Sequence, residues 1–233
     1  MKKNYFLFFV VLLFSFQAVK AQSNDYLKDI KEELLKKWPQ NRTINLVFHG
    51  HSVPTGYFRT PEVRTFESYP FLLLKGLKEQ YPNAVINVIT TSIGGENSTQ
   101  GQKRFKGEVL NHKPDVLFID YALNDRKIGL EKAGKNLEKM IHSALKKDIK
   151  VILMTPSPDI TVDLLKPDNE LELFTKQIIA LAEKYKIGVV DSYGLFKHLI
   201  EEGKDIKTFM AQSNHPNEKG HQLIADGIMA YFK

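Results

Sequence analysis

Residues 43–49 read Thr-Ile-Asn-Leu-Val-Phe-His and stop at Gly50, with His51-Ser52-Val53-Pro54 directly after. A β-branched and apolar run of this length, ended by glycine, is the pattern of a buried strand. The same pattern returns at 84–91 (AVINVITT), 115–121 (DVLFIDY), 149–155 (IKVILMT) and 187–191 (IGVVD). Between the runs lie stretches with helical spacing: 69–80, about 98–111, 129–147 and about 168–185. Two more follow at about 194–202 and 217–232, and Pro70 and Pro216 sit where a first helical turn tolerates proline. Strands joined by helical crossovers make a parallel sheet covered on both faces. The expectation is an α/β fold: a three-layer α/β/α sandwich around a five-stranded parallel sheet.

The chain has 233 residues, of which 42% are hydrophobic and 26% charged, so there is enough apolar material for one core. No composition shift, repeat or long linker divides it. Residues 22–42 read as a polar lead-in helix and connection, and 43–233 as one domain. Cysteine is absent, which excludes disulfides, thiol nucleophiles and cysteine-ligated zinc.

Residues 1–21 (MKKNYFLFFVVLLFSFQAVKA) have a basic start, a largely apolar stretch of 12 residues from Tyr5 to Phe16, and Val19 and Ala21 placed for cleavage before Gln22. This is the layout of a secretory signal peptide, and the apolar run is short of the ~20 residues a spanning helix needs. No cysteine follows to carry a lipid anchor. The mature chain is therefore expected to be exported, periplasmic or secreted, without a stable membrane anchor. Cleavage removes Lys2, Lys3 and Lys20 and no acid, lowering the formal charge from +6 to +3. The remaining lysines alternate with acids, as in 31–37 (KEELLKK), which is a solvated helix face and no nucleic-acid stripe.

In open α/β sheets the ligand site lies beyond the carboxyl ends of the strands, so the residues after each strand decide the chemistry. Ser52 follows the first, Ser92-Ile93-Gly94-Gly95-Glu96-Asn97-Ser98 the second and Ala122-Leu123-Asn124-Asp125 the third, while His215-Pro216-Asn217 precedes the last helix. A hydroxyl, a glycine turn, an amide and an imidazole on one rim are the parts of a serine acyl-transfer site. Other chemistries have less support. The Gly-x-Ser-x-Gly elbow is broken by Pro54. No Gly-x-Gly-x-x-Gly or Walker pattern occurs, so no nucleotide cofactor is implied. His49 and His51, with Asp120 or Asp125, make a weaker alternative as a metal site. Asn41 and Asn97 stand in glycosylation triplets that are read as chance.

The four segments resemble the SGNH (GDSL-type) hydrolase family over nearly all of the mature chain. Gly50-His51-Ser52 is similar to its nucleophile block, 92–98 to its glycine block, 122–125 to its Gly-x-Asn-Asp block, and His215-Pro216-Asn217 with Gly220 to its histidine block. The resemblance implies a flavodoxin-like sandwich and a serine esterase that needs no cofactor or metal. It implies Ser52 as nucleophile, His215 as base, and Ser52 N–H, Gly95 N–H and the Asn124 side chain as oxyanion donors. Three positions depart from the pattern. His51 replaces an aspartate, Ala122 replaces a glycine, and Gln212 stands where the family places the acid of the triad. Gln212 is thus a candidate to orient His215, and a backbone carbonyl is the other. Tyr57 and Arg59, in the loop after Ser52, and His51 are candidates for contacting substrate. The expected substrate is a small acyl ester of a carbohydrate, the alternatives being a lysophospholipase or thioesterase, or a non-catalytic glycan-binding relative.

Overall fold

The computed structural model describes residues 26–233. The expected signal segment at 1–21 lies outside the described residues. Five strands form one parallel sheet: β1 (Thr43–Gly50), β2 (Val85–Thr90), β3 (Val116–Asp120), β4 (Lys150–Met154) and β5 (Gly188–Val190). Their order is β2-β1-β3-β4-β5. This is the flavodoxin-like order of a doubly wound sheet, whose switch point falls between β1 and β3. Those two strands run in register from Leu46 beside Val116 to Gly50 beside Asp120.

Successive side chains of a strand face opposite sides, so each central strand feeds two cores. Leu46, Phe48, Val116, Phe118, Ile152 and Met154 enter one, while Val47, Leu117, Ile119, Val151 and Leu153 enter the other. The first core is closed by α1 (Lys28–Leu35), α3 (Tyr69–Gln80), α8 (Ser192–Glu201) and α9 (Glu218–Met229). The second is closed by α4 (Ser98–Glu108), α6 (Leu130–Leu145) and α7 (Glu170–Tyr185). Two single-turn helices, α2 (Ser52–Thr55) and α5 (Ala122–Asp125), sit at the carboxyl ends of β1 and β3. A small antiparallel pair, β6 (Met210–Gln212) and β7 (His215–Pro216), precedes α9.

Two expectations change. Residues 84–91 read as a fully buried strand, but β2 is an edge strand and Val85 is 47% exposed. Its apolar run is needed only where helices cover it. The lead-in helix is not merely polar, because Leu27, Ile30 and Leu34 are fully packed into the first core. Just before α1, the Tyr26 hydroxyl donates to the Val151 carbonyl and accepts from the Val151 N–H, both at 2.9 Å. Strand β5 begins opposite Ile152, so Tyr26 satisfies the backbone group of β4 that β5 does not reach.

Gly50 is where β1 turns into α2. A Cβ there would collide with the Asp120 backbone carbonyl and lie 2.9 Å from Pro54 Cγ. Backbone cannot step aside as a side-chain tip does, so Gly50→Ala is expected to lower the unfolding free energy by about 1–3 kcal/mol. Urea or thermal denaturation measures this, and a wild-type midpoint would contradict the packing described.

Candidate active site

Ser52 opens α2 at the switch point. The ring before it caps that turn: His51 Nδ1 accepts the Val53 N–H at 3.2 Å. Nδ1 as acceptor leaves the hydrogen on Nε2, which faces Asp120 Oδ1 at 3.3 Å. The other Asp120 oxygen accepts from the Tyr69 hydroxyl at 3.0 Å. His51 and Tyr69 are fully buried and Asp120 nearly so. His51 therefore cannot contact substrate, which corrects the reading of it as a binding residue. A polar residue beside a serine reads as exposed, and only the fold shows it turned inward.

His215 comes from β7, and its Nε2 lies 2.8 Å from Ser52 Oγ. Its Nδ1 lies 3.0 Å from the Phe58 carbonyl oxygen. A carbonyl only accepts, so Nδ1 carries the hydrogen and Nε2 presents its lone pair to Ser52. Burial holds the His215 pKa below 6.5; the Phe58 carbonyl opposes this and the nearby His51 adds to it.

Gln212 does not orient His215. Its Oε1 accepts the Thr60 N–H at 3.0 Å and its Nε2 donates to Asn214 Oδ1 at 3.2 Å. The antiparallel pairing of β6 with β7 sets Gln212 opposite His215, with its amide oxygen on Thr60 and its amide nitrogen on Asn214. Of the two orienters left open by sequence, the backbone carbonyl is the one in place.

Several contacts hold that carbonyl. Gly56 adopts φ +95 and accepts the Arg64 N–H at 2.8 Å, and the Phe58 N–H donates to Glu62 at 3.0 Å, closing the loop on itself. The buried Phe58 ring stacks on His221 with centroids 5.1 Å apart, and Arg64 covers it at 5.1 Å. His221 is fully buried, its pKa pushed down to about 3 by desolvation, so it packs as a neutral ring. The role of Phe58 is a main-chain one and leaves no residue-type signature. His221, in α9, was not singled out by the sequence reading, which marked only His215 in this segment.

The glycine turn lies opposite. Gly95 has φ +83, a conformation that disfavours any side chain. Asn124, in α5, donates from Nδ2 to the Glu96 carbonyl at 2.8 Å, which ties the residue after β3 to the turn after β2. Its second amide hydrogen is left over for another acceptor. Asp125 Oδ1 accepts the Ser98 N–H at 2.7 Å, and burial raises its pKa to about 6. Tyr57 is half-buried. Its ring centroid is 6.0 Å from that of His215, and its edge lies against Gly94, so it stands between the base and the glycine turn. Arg59 is exposed and donates to the Ala211 carbonyl at 3.4 Å. It lines a groove with Phe58, Glu62 and Lys219.

His49 and His51 do not converge. His49 bonds Thr91 Oγ1 at 2.9 Å and the Gly101 carbonyl at 3.2 Å, on the far side from Asp120. Among the described residues no group of three His, Asp or Glu is arranged to hold a metal ion. Asn97 of the second glycosylation triplet caps α4 through the Thr99 N–H.

Similar proteins share this framework. The crystal structure of Axe2, an acetylxylan esterase from Geobacillus stearothermophilus, superposes with a TM-score of 0.71 at 19% identity, covering 81% of this chain and 94% of that one. A GDSL-like lipase from Parabacteroides merdae superposes at 0.69 with 20% identity, covering 81% and 95%. At these identities the likeness shows the fold. In sequence, the lipoprotein YqeF of Bacillus subtilis is 25% identical over 181 residues, 61% of this chain and 72% of that protein. Residues 48–223 match the GDSL-like lipase/acylhydrolase family, a span that reaches from the end of β1 into α9 and includes Ser52, Gly95, Asn124 and His215. The chain belongs to the GDSL-like lipase/acylhydrolase family and is a carboxylic ester hydrolase.

Proposed function

We propose that this protein is an exported serine esterase that removes small acyl groups, acetyl foremost, from carbohydrate through an acyl-Ser52 intermediate. The observation that carries the chemistry is the 2.8 Å contact of Ser52 Oγ with a His215 ring whose other nitrogen is committed to a carbonyl. Ser52 Oγ attacks the ester carbonyl carbon as its proton passes to Nε2. The carbonyl oxygen becomes an oxyanion, received by Ser52 N–H, Gly95 N–H and the free Asn124 amide hydrogen. Protonated Nε2 then gives its proton to the departing alcohol oxygen. Water, deprotonated by the same nitrogen, attacks the acyl carbon and frees Ser52. The orienter is neutral, so it fixes the tautomer without the charge stabilisation a carboxylate would lend the imidazolium.

Three things support the substrate class. The signal-like segment suits an extracellular ester. Tyr57 offers an aromatic edge beside His215 for a sugar ring. Axe2, whose fold this chain shares, acts as an acetylxylan esterase.

Hydrolysis of p-nitrophenyl esters from acetyl to long-chain acyl, by residues 22–233, tests the reading. Turnover is expected to be greatest for acetyl, indifferent to EDTA, and reduced by about 10⁴-fold or more in Ser52→Ala. A preference for long acyl chains would favour the lysophospholipase alternative. Wild-type binding of acetylated xylooligosaccharide without turnover would favour the glycan-binding one.

The pH dependence follows from His215. A base works when unprotonated, and a pKa below 6.5 keeps it so into mild acid. The acid limb of kcat/KM is therefore expected to fall with its midpoint below 6.5, with turnover lost as pH drops through it. Gln212→Ala is expected to leave that midpoint in place and to cost less than the ~10²-fold that general-base catalysis supplies. A larger loss, or a shifted limb, would return Gln212 to the site.

A further inference from the structure

The residue after the oxyanion glycine makes a contact that the reaction above does not use. The Glu96 carboxylate is gripped by Arg104, from α4, through Nε at 2.9 and 3.1 Å and Nη2 at 2.6 Å. The Tyr121 hydroxyl, at the end of β3, lies 3.4 Å from the same carboxylate and 3.4 Å from Arg104 Nη2. The two charged side chains are only 14% and 11% exposed, and Arg104 Nη1 also meets Glu108 at 3.2 Å. A forked guanidinium–carboxylate pair fixes direction as well as distance, which a single charge–charge contact does not.

What this pair holds is the second half of the glycine turn. Gly95 is exposed, with open space where its Cβ would be. The turn is tied at its start by the Ile93 N–H on the Gly50 carbonyl at 3.1 Å. At its end, the Glu96 carbonyl accepts the Asn124 amide at 2.8 Å. The Gly95 N–H is one residue before that carbonyl, and the Asn124 amide is bonded to it. One residue, Glu96, thus joins two oxyanion donors through its main chain while its side chain is held by Arg104.

We propose that Glu96 and Arg104 are positioning residues for the oxyanion hole: the ion pair anchors the glycine turn so that the Gly95 N–H and the Asn124 amide converge on one point beyond Ser52. The proposal rests on the serine-esterase reading above. Neither residue touches substrate in it. The pair acts by holding two donors still, and its loss lets the turn move while Ser52 and His215 stay in contact.

The test uses Glu96→Gln, Arg104→Gln and Arg104→Lys in residues 22–233, with p-nitrophenyl acetate as substrate and methylboronic acid as transition-state mimic. The boronic acid adds to Ser52 Oγ as a tetrahedral boronate, its boron–oxygen bond forming as the Oγ proton moves to His215, and one boronate oxygen occupies the oxyanion position. Glu96→Gln and Arg104→Gln are expected to lower kcat about 10- to 100-fold with KM within roughly threefold, since an ångström of misplacement or one lost donor costs this order. The inhibition constant for methylboronic acid is expected to rise in parallel, and Arg104→Lys to fall between. Near-UV circular dichroism and the melting midpoint give the folded fraction. Glu96→Gln is isosteric and keeps the backbone carbonyl, so it carries the test if Arg104→Gln does not fold. Unchanged kcat in folded variants overturns the proposal, as does a loss that tracks only the folded fraction with boronate affinity per folded site intact. Either result leaves the esterase reading standing, whereas turnover surviving Ser52→Ala would overturn that reading instead.

Discussion

The hydrogen bond from His215 Nδ1 to the Phe58 carbonyl, 3.0 Å long, sets which nitrogen of the imidazole faces Ser52. With the hydrogen held at Nδ1, Nε2 is an acceptor and the Ser52 hydroxyl has a base. With it at Nε2, the same ring would offer a donor to an atom that must lose a proton. Much of the local structure serves that carbonyl: the left-handed Gly56, the loop closure by Arg64, and the Phe58 ring seated on a neutral His221. Beneath lies the β1–β3 switch point, where Gly50 lets the chain turn against the Asp120 backbone and His51 caps the turn.

The site also divides its charges from its reacting atoms. The groups set against His215 are neutral: the Ser52 hydroxyl, the Phe58 carbonyl and the Tyr57 ring. The charged groups stand one layer back, as Glu96 with Arg104 and Asp120 beside His51. A base oriented by a dipole gains less for its protonated form than one beside a carboxylate, and here burial outweighs what the Phe58 carbonyl returns, so the His215 pKa stays below its ordinary value.

The layered fold was legible because β1, β3 and β4 are apolar on both faces and the intervening helices keep their period. Position in the sheet was not, because an apolar run does not say which edge is covered, and β2 proved to be an edge strand. Ser52, Gly95, Asn124 and His215 were proposed from where they fall after strands and from resemblance, and the fold brings the segments that bear them to one rim. Between Gln212 and a backbone carbonyl the sequence could not choose, because spacing places a residue near another without saying which way its amide turns. His51 was misread because burial of a polar side chain depends on a partner, Asp120, that lies 69 positions away in sequence. Phe58 was beyond the reach of any pattern of residue types, since what it contributes is common to all twenty.

A main-chain partner for the base has a genetic consequence. An acid in a triad is encoded by its codon and is lost by a single base change. A main-chain oxygen is encoded by the path of the loop, and every amino acid at position 58 supplies one. Selection on this partner therefore falls on whatever keeps the loop in place, on Gly56, Arg64 and His221 as much as on Phe58. Position 212 belongs with them, since its amide oxygen accepts the Thr60 N–H and so ties down the same loop without touching the base.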